Sequence, residues 1–251
     1  MSLSGKTALV VGAGGLGGPA LLTLAAAGVG RLLVADADAV DTTNLARQPL
    51  FGEADVGARK AAAAVARLAA VFPASAAQAR DVRVTAENVL ALAAEADVVV
   101  DGTDNFAAKF LLSDASLRAR KPLVHGGVLR TTFQILTINP LGLGGCLRCL
   151  FEAPPPEGAV PACADAGVLG AAAAAAGALM GAEAIRLLDG ERGAYEGRLL
   201  TYETRSARGR LVLVRKRPHC PGCSPEALAA APAPAAPAPH EVVAGRPGGG
   251  P

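Results

Sequence analysis

Cys146, Cys149, Cys220 and Cys223 form two Cys-x-x-Cys pairs, CLRC and CPGC. One such pair alone fits a dithiol redox site. Two pairs supply four thiolates, the ligand set of tetrahedral structural zinc. A shared metal would tie the middle of the chain to its end, so both belong to one domain. Four sulfur ligands leave zinc no open position for a substrate, so the site is expected to be scaffold. Cys163 is then the one cysteine left unassigned.

A second set of residues begins at Gly12, Gly14 and Gly17, which satisfy G-x-G-x-x-G within GAGGLG, with Gly15 inside the same turn. Glycine lets the backbone approach a phosphate, and a helix N-terminus favours its negative charge. Asp36 ends the next apolar run, where a carboxylate can bind a ribose hydroxyl. These residues indicate a nucleotide and leave NAD and ATP both open. The following segments separate the two. The loop DADAVDTTNLARQPLF holds Asn44, Arg47 and Gln48, VGARKAA carries Lys60, and DGTDN contributes Asp101, Asp104 and Asn105. Arginine and lysine clamp phosphate oxygens. An aspartate beside them can hold Mg²⁺, which bridges phosphates. Hydride transfer needs none of this, whereas chemistry at a triphosphate does.

The elements that must position these groups read as a βαβ frame. Residues 6–12 (KTALVVG) form a buried strand, a helix covers 18–27, and RLLVAD at 31–36 is a second strand, which implies a parallel sheet. A polar loop follows at 37–55, then an alanine-rich helix at 57–71 and strands at 78–84 and 97–101. The second of these ends in DGTDN, at the carboxyl edge where open parallel sheets bind ligands. A helix over 105–120 starts on an Asp/Asn capping signal, and 122–125 is a short strand. Residues 128–138 and 198–214 then read as β segments without short intervening helices, hence as antiparallel additions. Between them lie the first cysteine pair, the loop APPPEGAVPA, Cys163 and a long Ala/Gly helix. The expected fold is α/β, a Rossmann-like, mainly parallel sheet extended by antiparallel strands, with a four-cysteine zinc site. It occupies residues 1–223, and the Ala/Pro/Gly-rich residues 224–251 are expected to be a disordered tail.

Composition narrows the partners. The formal charge of +2 and 3% aromatic content provide no basic stripe interleaved with aromatics, so nucleic acid is not indicated. The uncharged stretch 166–182 is Ala/Gly-rich and shorter than the ~20 residues of a membrane span, so a buried helix is expected instead. The polar start MSLSGK shows no secretory pattern. With thiols expected in the reduced state, this points to the cytoplasm. His125 follows a buried strand and is expected to be packed or hydrogen-bonded, whereas His219 adjoins the second cysteine pair and His240 lies in the tail.

The stretches VVGAGGLGGPALLTLAAAGVG, LLVADADAVDTTNLARQ, VGARK, VVDGTDN, CLRC, CADAGVLG and CPGC, in this order, cover about residues 6–223. This chain resembles the ThiF/MoeB/HesA family of ubiquitin-activating-like adenylyltransferases. The resemblance implies an enzyme that binds ATP·Mg²⁺ and the Gly-Gly tail of a ubiquitin-like sulfur carrier of the MoaD/ThiS type. The tail carboxylate attacks the α-phosphate, pyrophosphate leaves, and the acyl-adenylate is converted to a thiocarboxylate for molybdopterin, thiamin or tRNA-thiolation pathways. Carried over to this sequence, Gly12, Gly14, Gly15, Gly17 and Asp36 hold the nucleotide, with Asp36 on the ribose. Asn44, Arg47, Gln48 and Lys60 face the phosphates, Asp104 coordinates magnesium, and Asn105 stands beside it.

Cys163 matches the crossover-loop cysteine of the family, which joins the carrier covalently in some members and is dispensable for adenylation in others. A helix just beyond it would favour the thiolate. The resemblance also implies a homodimer. Relatives usually carry an N-terminal segment with an R-Y-x-R-Q-like motif whose arginine reaches the ATP of the other subunit, and this chain starts at its first strand without it. No rhodanese domain follows, so the sulfur donor is expected to be a separate cysteine desulfurase or rhodanese. Other readings are an adenylase acting on a tRNA modification or a peptide terminus, a non-catalytic carrier-binding module, and an NAD(P)-dependent dehydrogenase.

Overall fold

Short β-branched and leucine-rich runs alternate with alanine-rich stretches through the first half of the chain, and each becomes a strand or a helix. The structure is a computed structural model that describes residues 2–155 and 167–230. In chain order the first half runs β1 (Thr7–Val11), α1 (Gly17–Ala26), β2 (Arg31–Ala35), α2 (Lys60–Val71), β3 (Ala76–Arg80), α3 (Val89–Ala94), β4 (Val98–Asp101), α4 (Phe106–Arg118) and β5 (Leu123–Leu129). There follow β6 (Thr132–Ile138), α5 (Leu147–Leu150), α6 (Gly170–Leu188), β7 (Arg198–Glu203), β8 (Arg208–Leu213) and α7 (Pro225–Ala229). All eight strands form one sheet in the order β3-β2-β1-β4-β5-β6-β7-β8. Pairing is parallel from β3 to β5 and antiparallel from β5 to β8. This is the expected mainly parallel sheet with an antiparallel extension.

The strand alternation sorts side chains into two cores. Ala8 and Val10 of β1 face one core, which also holds residues of α1, α2 and α6. Leu9 and Val11 face the other, with α3, α4 and three of the four paired cysteines. Both faces of the parallel half are therefore covered, which is why its strands read as continuous apolar runs.

Of the stretch 166–182 read as a buried helix, residues 170–182 belong to α6, residues 167–169 precede it and Ala166 lies outside the described residues. Among the described residues α6 is the one helix long and apolar enough to cross a membrane, and half of it is buried within the fold. Its glycines permit close packing on α1. A Cβ on Gly177 would overlap the carbonyl oxygen of Leu16, and one on Gly181 would sit 2.7 Å from Cβ of Thr23. The helix also carries Glu183, which is 3% exposed. This carboxylate accepts hydrogen bonds from Thr137 Oγ1 at 2.5 Å and from the backbone N–H groups of Ala194 at 3.1 Å and Tyr195 at 3.0 Å. It ties the helix to β6 and to the turn before β7. Glu183→Ala would leave three donors unpaired, of which Thr137 Oγ1 is fully buried, with an expected cost of about 3 kcal/mol. A lower urea midpoint at unchanged slope would show it, and an unshifted midpoint would refute it.

Several boundaries differ from the expectation. The α2 helix begins at Lys60 rather than Gly57, because Gly57 has φ +85° and no helix passes through that conformation. The third strand covers 76–80 rather than 78–84. Residues 128–138 are not one β segment. They contain the end of β5, a reversal in which Arg130 has φ +54°, and all of β6. The short helix α3 was not anticipated. The ordered chain also continues past 223, where Ser224 Oγ accepts from Ala227 N at 3.1 Å and Pro225 opens α7. Leu228 then packs against the second core. Residues 231–251, most of the expected tail, lie outside the described residues.

Candidate nucleotide site and cysteine knuckle

The carboxyl ends of β1, β2 and β4 open into a cavity of about 960 Å³. Gly12, Gly14, Gly15, Asp36, Arg47, Gln48, Lys60, Asp104 and Asn105 all line it. Gly17 and Asn44 are not in its wall. Gly17 also serves packing, since a Cβ there would overlap the carbonyl oxygen of Gly12. Asn44 ends a short 3₁₀ turn, Thr42–Asn44, and its side-chain amide donates to Thr43 Oγ1 at 3.3 Å.

Gly12 has φ +85°, and a Cβ on it would come within 2.8 Å of the Gly102 carbonyl oxygen. A Cβ on Gly102 would in turn lie 2.9 Å from the oxygen of Gly12 and from the N of Gly17. The turn after β1 and the turn after β4 thus touch backbone to backbone. Gly102 is the member of this framework that sequence inspection missed, although the DGTDN segment contained it.

Asp36 is 9% exposed, and its two oxygens accept the backbone N–H groups of Ala13 and Asp38, each at 2.8 Å. Burial raises its pKa against the pull of those two donors. Each oxygen keeps a lone pair for a further donor such as a ribose hydroxyl. Lys60, the first residue of α2, is buried and has its Nζ 3.3 Å from Oδ2 of the exposed Asp38. Arg47 donates through Nη1 to the Thr43 carbonyl at 3.1 Å. Gln48 is 5% exposed, and its side-chain carbonyl oxygen has no hydrogen-bond partner.

Two aspartates at the end of β4 have opposite surroundings. Asp101 is fully buried and accepts from Thr103 N at 3.1 Å, Thr103 Oγ1 at 2.6 Å, Lys109 Nζ at 3.4 Å and His125 Nδ1 at 2.8 Å. Burial alone would raise its pKa, but the Lys109 charge and the His125 and Thr103 hydrogen bonds outweigh it and bring the value to about 2. His125 is 2% exposed, and burial lowers its pKa despite the Asp101 bond. Its Nδ1 is the donor in the bond to Asp101, because an ionised Asp101 can only accept. The expected packed, hydrogen-bonded histidine is therefore present. Asp104 is exposed in the cavity wall, and among the described residues it has no hydrogen-bond or ion-pair partner. Asn105 is the N-cap of α4, and its Oδ1 accepts from Ala108 N at 2.9 Å.

The far end of the cavity is lined by residues to which the sequence assigned no role. They include Arg130, Phe133, Glu203 and Arg205, in and beside the antiparallel strands, while the likewise unassigned Arg83, Phe106 and Lys109 line the cavity beside Asp38, Asn105 and Asp101. Glu203 accepts from Thr132 Oγ1 at 2.7 Å and from Arg205 N at 2.9 Å, which lowers its pKa. Only the positive φ of Arg130 distinguishes this end, and no sequence motif encodes that.

The four paired cysteines converge in the second core, which also holds α4 residues, and none lines the cavity. Their sulfurs all lie within 4.8 Å of one another. Cys146–Cys220 is 3.7 Å, Cys149–Cys223 is 3.4 Å and Cys146–Cys149 is 4.0 Å. A disulfide would need about 2.05 Å. Four sulfurs around zinc at about 2.3 Å stand about 3.8 Å apart, so the spacing fits a tetrahedral metal. The backbone N–H of Arg217 donates to Cys149 Sγ at 3.4 Å. Arg148, between the first two cysteines, is paired with Asp114 of α4 at 2.8 Å and stacks over the Phe110 ring. Cys163 lies outside the described residues.

The sequence pattern of the ThiF family matches residues 2–222. The chain is 44% identical over 228 residues to the sulfur carrier protein adenylyltransferase of Thermus thermophilus, covering 89% of this chain and 84% of that protein. It is 42% identical over 222 residues to the probable adenylyltransferase/sulfurtransferase MoeZ of Mycobacterium tuberculosis, and spans 57% of that longer protein. Among solved structures, E. coli MccB bound to succinimide superposes with a TM-score of 0.78 at 20% identity, over 88% of this chain and 68% of MccB. That likeness establishes the fold. The chain belongs to the ThiF family.

Proposed function

We propose that this protein uses ATP to adenylate the C-terminal Gly-Gly carboxylate of a ubiquitin-like sulfur-carrier protein. The observation that carries this is the cavity of a ThiF-family chain in which a glycine turn, two cationic side chains and a partnerless aspartate share one wall. The Thermus thermophilus relative named for the same activity supports it.

In this reading the glycine turn and the N-terminus of α1 receive phosphate oxygens, and Asp36 orients the ribose. Arg47 and Lys60 place charge on the phosphates, where negative charge shifts toward the leaving pyrophosphate. A carrier carboxylate oxygen bonds to the α-phosphorus as the bond to the bridging oxygen of pyrophosphate breaks. The nucleophile is already an anion, so no side-chain base is required. Asp104 fits a hard cation, because its carboxylate is exposed to the phosphate region and uncommitted. The saturated carboxylate of Asp101 does not. Mg²⁺ on Asp104 would neutralise phosphate charge. Zinc is the metal proposed for the cysteine knuckle, with a structural role.

Conversion to a thiocarboxylate would draw sulfur from a separate cysteine desulfurase or rhodanese, with Cys163 as a reactive thiol near the carrier. A cytoplasmic homodimer completes the proposal, with neither nucleic acid nor membrane as partner.

The test is ATP–pyrophosphate exchange with candidate carriers ending in Gly-Gly. Exchange should require a carrier and fall at least about a hundredfold in Asp104→Ala. Failure of every such carrier to elicit exchange from folded protein would overturn the proposal.

A further inference from the structure

Three buried ionisable side chains, of which Lys109 also lines the cavity, have no part in the chemistry above. Asp101, Lys109 and His125 are 0%, 7% and 2% exposed, and they come from β4, α4 and β5. Lys109 Nζ donates to the Gly126 carbonyl at 2.6 Å and lies 3.4 Å from Asp101 Oδ2. His125 Nδ1 donates to the same Oδ2 at 2.8 Å. The other oxygen of Asp101, Oδ1, receives both donors of Thr103, the residue directly before Asp104. Burying charges is costly, and apolar residues of similar volume would fill this space at no loss of stability. What such residues would not supply is the double anchor on Thr103. That anchor fixes the backbone carrying Asp104, a residue whose own side chain has no protein partner among the described residues.

We propose that Asp101, Lys109 and His125 form a positioning cluster that, through Thr103, sets how tightly Asp104 engages a divalent cation on bound nucleotide. This rests on the reading of Asp104 given above. The cluster itself does not touch the cation. Lys109 and His125 hold Asp101 ionised and oriented from two sides, and Asp101 holds Thr103. Support of this kind is worth about 10- to 100-fold in metal affinity where it has been removed from other sites.

Two variants remove one hydrogen bond each while leaving the Asp101–Lys109 pair in place. Thr103→Val deletes the hydroxyl donor, and His125→Leu deletes the imidazole donor. His125→Asn restores an N–H near the position of Nδ1. The full chain, with a non-hydrolysable ATP analogue, is titrated with Mn²⁺ and followed by electron paramagnetic resonance, and the Mg²⁺ dependence of ATP–pyrophosphate exchange is measured in parallel. Thr103→Val and His125→Leu should weaken Mn²⁺ binding at least about tenfold and raise the Mg²⁺ midpoint equally, and His125→Asn should recover native affinity. A purely structural cluster would lower the melting temperature without moving either midpoint, and that result in folded variants overturns the proposal. Asp104→Ala is the control. If it leaves Mn²⁺ affinity intact, the assignment of Asp104 fails and the proposal fails with it. If Asp104→Ala loses the cation while the cluster variants keep it, the cluster proposal alone fails.

Discussion

Cys146→Ser should strip the knuckle of its metal and lower the melting temperature by about 10–20 °C, corresponding to roughly 5 kcal/mol for a chain of this size. Cys146 is 0% exposed and its sulfur is 3.7 Å from that of Cys220. A serine there supplies neither the thiolate nor the reach of sulfur. Three remaining thiols, crowded within 4.8 Å, would repel one another if ionised and pack poorly if not. The knuckle fastens α5 and the segment after β8 onto α4 through the Arg148–Asp114 pair, so its loss frees both. Because none of the four paired cysteines lines the cavity, nucleotide binding should persist below the new melting temperature. Metal content by mass spectrometry and a thermal scan decide the matter. Full metal occupancy, or a native melting temperature without metal, would show that the sulfurs do not hold the fold together.

Gly17→Ala should cost about 3 kcal/mol of stability and weaken nucleotide binding at least about tenfold. The added Cβ would overlap the carbonyl oxygen of Gly12, and the obstacle is backbone rather than a side chain that could swing away. Gly12 must then move, and with it the turn expected to receive phosphate. Gly28→Ala is the informative comparison. Gly28 has φ +77° but open space around its Cβ position, so the change costs only left-handed strain, about 1–2 kcal/mol. It should leave nucleotide affinity unaltered. Calorimetric titration with ATP and chemical unfolding of the two variants separate the effects. Equal nucleotide affinities would refute the steric account.

The parallel half of the fold was legible because its physics is local. Strands buried on both faces must be apolar throughout, and TALVV, RLLVA and VVVD are. The β3 strand was misplaced because AAQAR, with no buried and no β-branched residue, has no strand signature. The β5–β6 reversal was hidden because Arg130 and Thr131 make it without glycine or proline. The glycine turn and the cations of the cavity wall could be read from motifs, since such groups keep recognisable spacings along the chain. Gly17 was assigned to the ligand because its motif implies that, while its tight packing against Gly12 emerges only in three dimensions. The far end of the cavity and the Asp101–Lys109–His125 cluster depend on residues from separate strands meeting in register, as Asp101 and His125 do across β4 and β5. No spacing rule announces such a meeting.

The contact between Gly12 and Gly102 also has a mechanical side. Two loops that touch through backbone atoms, with no side chain between them to deform, share one degree of freedom. A ligand that grips the first loop therefore stiffens the second. By thermodynamic reciprocity, whatever change a ligand at the glycine turn makes in affinity at the Asp104 loop, a ligand on that loop makes the same change at the glycine turn. Nucleotide and cation would report to each other through the protein as well as through their own charges, and the absence of side chains at the junction is what makes that link short.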